Sequence, residues 1–138
     1  MKKRNFPRFL RSQGALETAE AAITLPLVLL VMLAIFNLGM VVYGQQAVQQ
    51  AARHGARMGS VAQQCGACYA ASAANGAIAN DPVVKNAGVS ILAPGGVAGS
   101  ILTVQVTGEI PNFIGGLLPG APGAFKVSSS ATFRQEGW

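Results

Sequence analysis

No charged residue occurs between Ala21 and Tyr43, no acidic residue precedes Gly14, and the chain has one histidine and two cysteines. Each scarcity excludes something. With His54 and the single pair Cys65 and Cys68 as its only histidine and cysteines, the chain does not supply an evident closed four-ligand metal site. No serine or cysteine stands with an evident base and orienter, the carboxylates are scattered, and no phosphate-cradling glycine loop precedes a helix. The expectation is a non-enzymatic protein with no cofactor and no metal.

The missing acids near the N-terminus also dispose of a nucleic-acid reading. The formal net charge is +5, which would suit an acidic partner. However, Lys2, Lys3, Arg4, Arg8 and Arg11 stand without a counter-charge, and from Ala15 onward five cations face five anions. The basicity therefore belongs to a topology signal rather than to a binding surface.

What is present is the uncharged run itself, AAITLPLVLLVMLAIFNLGMVVY. As a helix rising about 1.5 Å per residue it spans about 34 Å, enough for the roughly 30 Å hydrocarbon core of a bilayer. The apolar region of a cleaved secretory signal is only about 7–15 residues, so Ala21–Tyr43 reads as a retained transmembrane anchor. The cationic leader before it places the N-terminus in the cytoplasm and the rest outside. Glu17 and Glu20 share one side of the helix at its mouth. Glu17 suits an interfacial role near the positive end of the helix dipole, whereas Glu20 directly abuts the apolar run, where an unpaired carboxylate is expensive and functional by default. Pro26 removes one backbone hydrogen bond and predicts a kink.

Beyond Tyr43 the helical pattern continues from Gly44 to about Gln64 without proline. Ala47, Ala51, Gly55 and Gly59 repeat at a spacing of four, a small-residue stripe that allows close approach of another element. It packs either on the chain's own domain or on neighbouring subunits. Arg53 and Arg57 form a cationic edge.

Cys65 and Cys68 then follow on the external side, where an oxidising compartment favours a local disulfide; free thiols, redox chemistry and half a metal site are the alternatives. Ala70–Ala79 reads as a helix broken by Asn75-Gly76, and Asp81 and Pro82 read as the start of a turn or two of helix ended by Gly88. Val89–Leu92 is a short strand candidate. In Leu102–Ile110, Leu102, Val104, Val106 and Ile110 alternate with Thr103, Gln105, Thr107 and Glu109. Phe125–Arg134 alternates likewise, with Phe125, Val127, Ser129, Ala131 and Phe133 on one side. The period of two predicts an antiparallel sheet with one face left for the long helix. Between these strands, Pro111–Gly123 carries Phe113, Ile114, Leu117 and Leu118 among glycines and prolines, an apolar connection either tucked over the sheet edge or exposed for a partner. The fold class is α+β, organised as a leader (1–14), a long helix (15–64, transmembrane 21–43 and external amphipathic continuation 44–64) and a small external domain (65–138) with short helices and about three strands.

The basic leader, Gly14, Glu20, Ala21-Ala22-Ile23-Thr24-Leu25-Pro26-Leu27 and the helix ending in Gln49-Gln50-Ala51-Ala52-Arg53-His54-Gly55-Ala56-Arg57 together resemble the TadE/TadG-like pseudopilins, or minor pilins, of the tight-adherence (Flp) pilus system. The resemblance implies cleavage by a prepilin peptidase on the cytoplasmic side, after Gly14 or after Ala15. The second position would put Glu20 at the fifth mature position usual in that family. It further implies that Glu20 attracts the N-terminal amine of a neighbouring subunit, that Pro26 belongs to the same assembly segment, and that the partners are other pilin subunits, the inner-membrane assembly platform and the bilayer. The implied location is the inner membrane, single-pass, or outside the cell within a pilus. The alternatives are a non-polymerising single-pass protein with an external adhesive or scaffolding domain, and a tethered thiol oxidoreductase acting through Cys65 and Cys68.

Overall fold

A computed structural model describes residues 13–115, 120 and 122–136. Helix α1 runs Gln13–Ser60 and helix α2 Gly66–Ile78; strands β1 (Lys85–Pro94), β2 (Ile101–Pro111) and β3 (Ala124–Arg134) follow. The chain divides into two compact units, one up to Phe36 and one from Asn37 onward. The architecture is α+β, as the two periodicities imply. The leader cations, and Leu117 and Leu118, lie outside the described residues.

The first unit carries the larger part of the apolar run of α1, and the helix continues through Pro26. Its large side chains are exposed, from Ile23 and Leu25 to Ile35 and Phe36.

In the second unit, β2 is the middle strand of an antiparallel sheet of order β1-β2-β3. Its register with β3 is unbroken from Ile101 opposite Arg134 to Pro111 opposite Ala124. Leu102, Val104, Val106 and Ile110 are fully buried on one face of β2, the face that the alternation predicts. Gly108 completes the row. A side chain there would meet Val84, so Val84 and Val48 occupy the space it leaves. Thr103, Gln105, Thr107 and Glu109 line the other, more accessible face. On β3 the outermost expected inward residue, Phe133, is 38% exposed, whereas Val127 and Ala131 are buried.

Against the apolar face lie α2 and the polar half of α1, which contributes Val48, Ala51, Ala52 and Ala56 to the core. The buried positions recur every three or four residues, so a helix of modest hydropathy still has one continuous core-facing stripe. In α2, Gly66, Ala70, Ala74 and Ile78 do the same at strict spacing of four.

Four local expectations are corrected. Helix α1 ends at Ser60, not near Gln64: the Ser60 carbonyl accepts from the Glu136 amide just beyond β3, and Ala62 N–H closes a turn on Gly59. Helix α2 begins at Gly66 and passes through Asn75-Gly76 without a break. The glycine costs about 1 kcal/mol relative to alanine, and burial of Ala74 and Ile78 on either side outweighs it. No helix follows Asp81. Its Oδ1 accepts from Val83 and Val84 N–H, both at 2.9 Å, so the cap geometry forms, but the chain turns outward into β1. Finally, β1 extends well beyond Val89–Leu92, because register shifts between Lys85 and Gly88 and between Ile91 and Ala93 interrupt its alternation. Asn86, at φ 50°, sits in the first irregularity and donates to Glu109 Oε2 at 2.7 Å.

Candidate functional site

The residues singled out by the sequence fall into three places. The first is the start of α1. The Gly14–Ala15 peptide lies in the opening turn of the helix, where fraying is easiest. Glu20 is exposed one residue before the apolar run. Its carbonyl accepts from Thr24 Oγ1 at 3.0 Å, an oxygen that also reaches the Ala21 carbonyl at 3.4 Å. Pro26 lacks the N–H that would bond the Ala22 carbonyl, so this stretch combines a carboxylate, a hydroxyl turned back onto the helix and one carbonyl deprived of its helical donor. The helix is long and apolar enough to cross a membrane, by length and composition.

The second place is the small-residue stripe. Ala47 is half-buried, while Ala51, Gly55 and Gly59 are buried. A Cβ at Gly55 would lie 2.7 Å from both the Ala70 carbonyl oxygen and the Ala74 Cβ; one at Gly59 would lie 2.6 Å from the Ala70 Cβ and the Gly66 oxygen. The stripe is the seat of α2. Arg53, His54 and Arg57, off this face, are exposed.

The third is the turn into α2. Cys65 and Cys68 form a disulfide with Cα atoms 5.3 Å apart. Cys65 precedes the helix with φ 35° and makes no side-chain cap; its carbonyl instead accepts from Cys68 N–H at 2.9 Å and Tyr69 N–H at 3.2 Å. Gln135 buttresses this turn from below. It is nearly buried, accepts from Gly96 N–H at 2.7 Å and donates toward the Ala62 carbonyl at 3.5 Å, linking the β1–β2 loop to the end of α1.

Two arrangements escape sequence reasoning. His54 and Asp81 line one open groove of about 430 Å³ with Tyr43, Gln46, Ala47, Gln50, Ala51 and Ala77. No group of three potential metal ligands occurs among the described residues. Asn37, inside the apolar run, is 6% exposed and donates through Nδ2 to Asn112 Oδ1 at 2.7 Å. Its own Oδ1 is buried without a hydrogen-bond partner among the described residues. A polar residue in the middle of LAIFNLGM is the only sequence hint of that pair.

Fold and site together define an α+β protein with one candidate membrane-spanning helix at its N-terminal end and a separately cored sheet domain after it. Residues 17–57 match the TadE-like protein family. Over that segment, 41 of the 138 residues, the chain is similar to that family. The match lies wholly within α1 and stops before α2 and the sheet. No curated protein and no solved structure matches the chain.

Proposed function

We propose that this protein is a minor pilin or pseudopilin of a tight-adherence pilus, without enzymatic activity. A prepilin peptidase removes the cationic leader after Gly14 or Ala15. The helix then holds the chain in the inner membrane, N-terminus inside, until pilin subunits and the assembly platform draw it into a filament or a priming complex. The observation that carries this reading is the exposed apolar half of α1, which lies within the segment similar to the TadE-like family. Such a surface is served by lipid before assembly and by neighbouring helices after it. Glu20 is the assembly contact: paired with a neighbour's N-terminal amine at low dielectric, it forms an ion pair favoured over either charge alone.

The engagement of Gly55 and Gly59 by α2 favours a second reading, a non-polymerising anchored protein whose sheet domain is an adhesive or scaffolding module. Intact mass and N-terminal sequence of protein purified from membranes separate the two. A start at Ala15 or Leu16 is expected for the pilin; an intact N-terminus removes it. Glu20→Ala is expected to be cleaved and inserted yet absent from filaments, and its normal incorporation would overturn the role assigned to Glu20.

A further inference from the structure

The membrane anchor and the domain overlap in the chain, and the overlap points to a second membrane contact. The apolar run extends to Tyr43, but the domain unit begins at Asn37. Ala21–Phe36 alone covers about 24 Å as a helix, some 6 Å short of a hydrocarbon core of about 30 Å. The next turns supply the missing length on one side only. Leu38, Val42 and Tyr43 are 64%, 51% and 49% exposed, respectively, while Met40 and Val41 pack on the domain core and Gly44 meets Ile110. Lipid that covers Leu38 therefore reaches the depth of Asn37, its neighbour along the helix, and of whatever Asn37 holds.

Asn37 holds the turn that follows β2. That turn is held by hydrogen bonds converging on Asn112. Asn112 Oδ1 accepts from Ile114 N–H at 3.1 Å as well as from Asn37, and Asn112 Nδ2 donates to the Pro122 carbonyl at 2.7 Å. The Asn112 amide donates to Gly123 at 3.1 Å, and Gly115 N–H to the Asn112 carbonyl at 3.2 Å. Irregular backbone is tolerated at membrane depth only where its polar groups are satisfied internally, and here one asparagine satisfies four of them. Beside it, Phe113 is 53% exposed and Ile114 is half-buried.

We propose that the Asn112–Gly115 turn is a second bilayer contact, in which Phe113 and Ile114 enter the interfacial zone of the outer leaflet beside Leu38 and Val42. The Asn37–Asn112 bond ties the turn to the part of α1 that carries Leu38 and Val42, within the unit that begins at Asn37. Leu38, Val42 and the turn then meet the outer leaflet together.

This inference rests on the anchor reading, so the test reports on both. The chain's one tryptophan is replaced by Trp138→Phe, and Phe113→Trp is introduced in the full chain reconstituted into phosphatidylcholine vesicles brominated either high or low on the acyl chains. Leu30→Trp in the same background reports the anchor. The expected result is about two-fold quenching of Phe113→Trp by the shallow bromine and less by the deep one, the depth at which interfacial aromatic residues sit, with the reverse order for Leu30→Trp. Ile114→Trp serves if Phe113→Trp does not retain the disulfide and native circular dichroism. Asn112→Ala is expected to diminish quenching at position 113 without changing it at position 30. Quenching at position 30 but not at 113 or 114 overturns the second contact and leaves the anchor standing. A blue-shifted but unquenched tryptophan in the turn also overturns it, by showing that protein, such as a second copy, covers that surface. Loss of quenching at both positions 30 and 113 overturns the anchor and the turn together.

Discussion

Helix α1 contains two halves that obey opposite rules. Up to Phe36 it is composed of large apolar residues, and these are exposed: Ile23, Leu25 and Ile35 are 75%, 61% and 65% accessible. From Gly44 onward it is rich in glutamine, alanine and arginine, yet Val48, Ala51, Ala52 and Ala56 are no more than 1% accessible. The hydrophobic half contributes little to the chain's own core, and the polar half builds one wall of it. Hydropathy therefore tells which solvent a helix meets, whereas burial within the chain follows from residue size at the contact. Alanine and glycine bury little apolar area each, but they let backbones approach closely, so α2 and the sheet can be packed directly against the helix.

The comparison breaks most visibly at Gly59. Its Cβ, if present, would stand 2.5 Å from Leu102 Cδ2 and 2.6 Å from the Gly66 carbonyl oxygen. Leu102 could rotate away; backbone cannot. Gly59→Ala is thus expected to destabilise the domain by about 3 kcal/mol, the upper part of the usual range for overpacking. The measurement is the denaturant midpoint of the detergent-solubilised protein, followed by loss of sheet signal. The matching change in the other half, Leu29→Ala with Leu30→Ala, should leave that midpoint within the ±0.5 kcal/mol typical of surface sites. A midpoint that falls equally in both would mean that the apolar half is part of the domain's core after all.

A smaller effect is expected at the disulfide. Closing so short a loop removes limited entropy from the unfolded chain, about 2 kcal/mol by the chain-entropy relation. Cys65→Ser with Cys68→Ser should lower domain stability by that amount while the protein still reaches the membrane and is still incorporated. Loss of function at unchanged stability would instead favour a redox role for the pair.

The legibility of the fold follows the same division. The apolar helix and β2 announce themselves because each presents one uninterrupted pattern, an uncharged run and a clean period of two. Strand β1 is harder because Asn86 and the shift after Ile91 take residues out of register, so the alternation survives only around Val89. The start of α2 carries no cap signal, since the side chain of Cys65 is committed to sulfur. Asp81 gives a false one: its carboxylate caps two amides, but Val83 and Val84 continue into extended chain with Val84 in the core. Asn37–Asn112 and the clasp made by Gln135 depend on residues about 75 apart, and nothing local encodes them. The position of Glu20 beside the apolar run is visible in the sequence as a charge pattern, which needs no tertiary contact to be seen.

The finest test of the contrast between composition and position lies within α2. Gly76 reads as a helix breaker, but the helix passes through it, and a Cβ there would meet nothing within 4 Å. No close approach and no positive φ demands glycine at this site. Gly76→Ala should therefore stabilise the domain by about 0.5–1 kcal/mol, through greater helix propensity and a less flexible unfolded chain. The same substitution at Gly59, in an equally helical backbone, acts in the opposite direction. Midpoints that shift upward for one and downward for the other would show that neighbouring atoms, rather than helical conformation, decide where this protein requires glycine. A downward shift at Gly76 would instead indicate that its open face is occupied in the assembled protein.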